Sequence, residues 1–91
     1  MPISDAELGE LYVRYAPILH ARARSILGDQ AEADDAVQET FARVIRAGDQ
    51  FRAEASPLTW MYQISTNWCL NRIRDRKGHD KKHHDRRGEI V

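Results

Sequence analysis

The chain predicts an all-α fold, a compact three-helix bundle, on three observations. Apolar residues recur at three- and four-residue steps in three separate stretches. None alternates with the period of two that a half-buried strand requires, and each is bracketed by helix-start and helix-stop residues. The first helix opens at Ser4 with Glu7 three residues on, the spacing of a capping box that satisfies free N–H groups. Leu8, Leu11, Tyr12, Tyr15, Leu19, Ala23, Ile26 and Leu27 form its apolar stripe, and Gly28 ends it. Pro17 lies inside the stripe without an N–H to donate, so a kink is expected near residues 13–17.

The second helix repeats the cap-plus-three spacing with Asp29 and Glu32. It turns Ala33, Val37, Phe41, Val44 and Ile45 inward and stops at Gly48. Asp49–Ala55 is expected to be a loop. The third helix takes Ser56 as its cap and Pro57 as its first residue, where a missing N–H does no harm. No breaker follows until Gly78, so this helix is long. Leu58, Met61, Tyr62, Ser65, Trp68, Cys69 and Ile73 fall on its inward side. Residues 1–78 thus make one helical domain, and residues 79–91, polar and aperiodic, are expected to be a charged disordered tail or the start of a linker.

Composition narrows the classes. Ninety-one residues with 42% hydrophobic content furnish one small core. A single cysteine, Cys69, excludes an internal disulfide and a Cys-based metal cage. The acidic N-terminus has no leader pattern, and no apolar run approaches the ~20 residues of a membrane span. A soluble, cytoplasmic chain is expected. Fourteen basic and 14 acidic residues cancel, which on its own argues against a nucleic-acid partner. The distribution reverses that argument: residues 1–54 carry a net −4 and residues 55–91 a net +4.

Trp60, Gln63, Asn67, Asn71 and Arg74 share a wedge of roughly 80° on the third helix. An indole can stack on a base, carboxamides can bond base edges, and the cations Arg72, Arg74, Arg76 and Lys77 can neutralise phosphates. The bland alternative makes Trp60 a cover for the domain edge, the amides solvated filler and the cations a helix-end charge run. On the second helix Asp34, Asp35, Gln38, Glu39, Ala42 and Arg46 form a polar face. It either docks a partner helix or favours the helix N-terminus. His79, His83 and His84 lie in the tail with no cysteine or apolar shell, so no metal site is expected, and His20 belongs to packing or surface. No phosphate loop, nucleophile elbow or HExxH pair is present, so neither catalysis nor a cofactor is expected.

The order LYVRYAP…ILGD, AEADDAVQETFARVIRA and FRAEASPLTWMYQISTNWCLNRIRDR resembles region 2 of bacterial sigma factors of the extracytoplasmic-function (ECF) group, over about residues 7–78. The resemblance implies a promoter-melting and polymerase-binding domain. Its second helix would bind the clamp coiled coil of the largest RNA polymerase subunit through Asp35, Gln38, Glu39, Arg43 and Arg46. Its third helix and the loop expected around residues 75–82 would read the non-template strand of the promoter −10 element. Trp60 stands at the family's aromatic position and Asn67 at its asparagine position. Gln63 shares that face, and Asn71, Arg72, Arg74, Arg76 and Lys77 would line the strand or a flipped-base pocket. An anti-sigma protein is a further implied partner, and a sigma-like decoy bound by such a protein is the alternative. Trp68 stands where the family often has a smaller or aliphatic residue. The family's second DNA-binding domain has no counterpart in these residues, which suggests a fragment ending within the interdomain linker.

Overall fold

The computed structural model describes residues 3–53 and 55–82, with side chains described as far as Lys77. Four helices follow in order: α1 Asp5–Leu27, α2 Gln30–Ala47, α3 Asp49–Arg52 and α4 Pro57–Lys82. No strand occurs among the described residues. The all-α class and the three long helices agree with the sequence reading.

The first two predicted caps form, in different ways. The Ser4 hydroxyl accepts from the Glu7 N–H at 3.1 Å while the Ser4 N–H donates to Glu7 Oε1 at 3.2 Å, closing the box. Asp29 Oδ2 accepts from the Glu32 N–H at 2.8 Å, but the Glu32 carboxylate turns away to α4. Between the two helices Gly28 sits at φ 74°, where side chains are strained, and its N–H donates to the Arg24 carbonyl at 2.8 Å. This short connection makes α1 and α2 antiparallel neighbours. The helix continues through Pro17, which lies on the exposed side.

Two boundaries differ from expectation. The stretch expected as a loop contains the single turn α3, which buries Phe51 and lets Arg52 reach Glu7 at 2.5 Å. Four residues are too few to display a helical period. Helix α4 passes through Gly78 to Lys82, so the loop expected around residues 75–82 is helical. One glycine inside a helix costs about 1 kcal/mol, which favours a stop without enforcing one. The remainder of the expected tail, residues 83–91, lies outside the described residues.

Each long helix packs on the other two, and the core divides in two along them. Ala16, Leu19, Val37, Phe41, Val44, Phe51 and Met61 fill one end, and Ala23, Leu27, Ala33, Ala36 and Cys69 the other. Ile45 was expected inside but is 51% exposed. The buried arc of α2 centres between Ala33 and Val37, and Ile45 lies roughly 110° from that centre. Buried Thr40, absent from the predicted stripe, satisfies its hydroxyl by donating to the Ala36 carbonyl at 2.8 Å. Burial pushes the Cys69 thiol up, against weaker opposing pulls from the Ser65 hydroxyl and Arg22. Ser65 Oγ has no hydrogen-bond partner of ordinary geometry, since a thiol is a weak one.

Candidate nucleic-acid interface

Successive residues of α4 turn by ~100°, so its side chains divide between a side facing α1 and α2 and a side facing away. Met61, Ser65 and Cys69 are fully buried on the inner side. Gln63, Asn67, Asn71, Arg74 and Lys77 are exposed on the outer side. Leu70 joins them at 53% exposure, an apolar member of this face that the sequence reading left out. Arg74 and Lys77 make no ion pair with a described residue.

Gln63 and Asn67 border a groove of about 400 Å³ lined also by Ile18, Leu58, Thr59, Tyr62 and Thr66. Its wall therefore offers a phenol ring, two threonine hydroxyls and two carboxamides. Across the helix pair, the Arg22 guanidinium lies 5.7 Å from the Tyr62 ring centroid and holds that ring between α1 and α4. Such a wall can take a planar heterocycle and bond its edge.

Trp60 is set differently from the wedge expected of it. It is half-buried, with its ring meeting Phe51 edge-on at 5.1 Å and 68°. It also lines a separate recess with Arg43, Arg46, Ala47, Gln50 and Ile64. The structure thus brings Trp60 to the C-terminal half of α2 and to α3, and leaves Gln63 and Asn67 to the Tyr62 groove. Covering the domain edge and lining a recess are both properties of this one side chain.

Arg72 and Arg76 also depart from the outer face. Arg72 Nε donates to Glu32 Oε2 at 2.9 Å, and Arg76 Nη2 donates to Glu32 Oε1, so one α2 carboxylate binds both. Arg72 additionally lies over the Trp68 ring at 5.4 Å. This pairing joins residues forty or more positions apart, and no local pattern announces it.

On α2 the outward arc carries Asp35, Gln38, Glu39 and Arg46 of the expected polar face, together with Arg43. Asp35 and Gln38 are exposed. Glu39 Oε2 accepts from both Arg43 Nε and Arg46 Nη2, each at 3.2 Å, which leaves a net positive end beside an acidic one. Asp34 pairs instead with His20 of α1 at 2.9 Å. Among the described residues no cluster of His, Cys, Asp and Glu could hold a metal ion.

Compared with known families, residues 11–79 match the model of sigma-70 region 2. The chain belongs to the sigma-70 region 2 family. It is 34% identical over 70 residues to the ECF RNA polymerase sigma factor SigM of Mycobacterium tuberculosis, a match covering 77% of this chain and 36% of SigM. Identity to the sigma factor SigW of Bacillus subtilis is 40% over 52 residues, 57% of this chain and 28% of SigW. To EcfG of Rhodopseudomonas palustris it is 32% over 77 residues, 85% of this chain and 42% of EcfG. The chain thus spans less than half the length of these relatives. No solved structure matches it significantly.

In this region 2 chain Trp68 is accommodated by packing. It is half-buried and joins Ile26 and Ile73 around the small-residue end of the core. No helix of the described residues is long and apolar enough to cross a membrane.

Proposed function

We propose that this region 2 chain is the promoter-reading and polymerase-binding part of an RNA polymerase sigma factor. The observation that carries the reading is the outer face of α4, where Gln63, Asn67, Asn71, Arg74 and Lys77 stand exposed beside the Tyr62 groove. The relatives named as ECF RNA polymerase sigma factors support it. In this reading α4 binds the non-template strand of the −10 element. The amides of Gln63 and Asn67 bond base edges, Tyr62 stacks, and cations bind phosphate. Melting follows from preference for the open strand over duplex, because extruding a base costs a few kcal/mol that stacking and amide bonds return. No covalent step is involved. Helix α2 binds the clamp coiled coil through Asp35, Gln38, Glu39, Arg43 and Arg46, steering it by mixed charge. Trp60, between the two faces, contacts whichever strand segment passes α3. An anti-sigma protein is the partner that would occlude these faces, and the cytoplasm is where they operate.

Binding to short single-stranded non-template oligonucleotides tests the DNA half. Asn67→Ala and Gln63→Ala should each weaken it by about 1–3 kcal/mol, with thermal unfolding unchanged. Affinity untouched by both substitutions overturns that half. A pulldown with the polymerase clamp helices tests α2: the double variant Gln38→Ala/Glu39→Ala should lose the partner, and full retention refutes the assignment.

A further inference from the structure

The four cations of α4 whose side chains are described do not form one surface. They are Arg72, Arg74, Arg76 and Lys77, and the helix sorts them into two pairs. Arg72 and Arg76 are four residues apart and share a side, whereas Arg74 is turned about 200° from Arg72. Both members of the first pair end on the single carboxylate of Glu32, one on each oxygen. That carboxylate is only 19% exposed, while each arginine is 45% exposed. Arg72 is held twice, by Glu32 and by the Trp68 ring. Glu32 in turn is free to do this because its capping partner Asp29 uses only the Glu32 backbone N–H. The Ser4–Glu7 box, by contrast, returns its glutamate to the cap.

We propose that Glu32 is a positioning residue that holds Arg72 and Arg76 as a strap between α2 and α4, out of the nucleic-acid interface. Phosphate contact then falls to Arg74 and Lys77. The strap fixes the rotation of α4 about its own axis, and with it the direction in which Gln63, Asn67 and Asn71 face. A charge count over this stretch would credit all four cations to DNA. Half of that charge is spent inside the fold. The inference rests on the DNA reading above, and it adds which cations act and what restrains the others.

The test is the salt dependence of binding to a single-stranded non-template oligonucleotide, measured on the whole chain with thermal unfolding in parallel. Each phosphate contact contributes a log–log slope of about 0.7 for a single strand. Arg74→Ala/Lys77→Ala should therefore flatten the slope by about 1.4 with little change in Tm. Arg72→Ala/Arg76→Ala should leave the slope in place and lower Tm. Glu32→Ala should lower Tm likewise, yet steepen the slope as two arginines are released. Glu10→Gln, a charge-matched change on α1, controls for the loss of one negative charge and should not steepen it. Glu32→Asp should restore part of the Tm without the steeper slope. Flattening by Arg72→Ala/Arg76→Ala equal to that of Arg74→Ala/Lys77→Ala overturns the strap while leaving the DNA reading intact. A wild-type chain with no measurable oligonucleotide binding overturns the DNA reading, and with it the assignment of Arg74 and Lys77.

Discussion

The two ends of the core are built from different materials. One end packs Leu19, Phe41, Val44, Phe51 and Met61, residues that remove much apolar area from water. The other sets a single large residue, Leu27, among Ala23, Ala33, Ala36 and Cys69, which remove little but let helix backbones approach closely. The ionic links follow the same division. At the small-residue end α4 is tied to α2 through Glu32, and at the large-residue end the Arg52–Glu7 pair only clips a single helical turn onto α1. Where side chains are large, packing determines the arrangement of helices. Where they are small, charged side chains at the margin help to determine it.

Three substitutions probe this contrast. Phe41→Ala should cost the most, about 3–5 kcal/mol, because it empties the large-residue end. Denaturant unfolding measures it, and a loss under 1 kcal/mol would mean that this end is not the main source of stability. Ala36→Leu tests the opposite property. Adding a branched chain at this fully buried alanine should cost about 1–3 kcal/mol, and a neutral result would show slack at that end. Arg52→Ala should have the smallest effect, and its pH dependence identifies it. The Arg52 guanidinium, with the Ser4 backbone, holds the Glu7 carboxyl below its ordinary value of 4.5. A depressed folded-state value stabilises above the unfolded pKa, and the gain disappears as pH falls through the folded one. The Tm difference between wild type and Arg52→Ala should therefore be present at pH 7 and close in acid; a gap independent of pH would assign Arg52 a packing role.

What could be read from the sequence was local. Ser4 with Glu7, Asp29 with Glu32, Gly28 and Gly48 mark helix ends by chemistry that acts within a few residues, and all four stand where the spacing placed them. The outer arc of α4 was legible for the same reason, since Gln63, Asn67, Asn71 and Arg74 follow from helical period alone. The α3 turn was not, because Asp49–Arg52 is shorter than any period it could display. Nor were the Phe51–Trp60 contact and the Glu32 pairings, which depend on how separate helices meet. Period assigns a residue to a side of its own helix. It does not say what stands opposite.

Helix α4 is continuous from Pro57 to Lys82, and that continuity sets a length. Gln63 and Arg74 are eleven residues apart, about 16 Å along the axis at 1.5 Å per residue. Stacked nucleotides in one strand rise 3.4 Å each, so the same distance holds about five of them. A strand lying on this face has to fit that span, with fewer nucleotides when its bases are splayed than when they are stacked. In the proposed reading the helix is a ruler as well as a surface, and its graduations are the amides and cations of its outer arc.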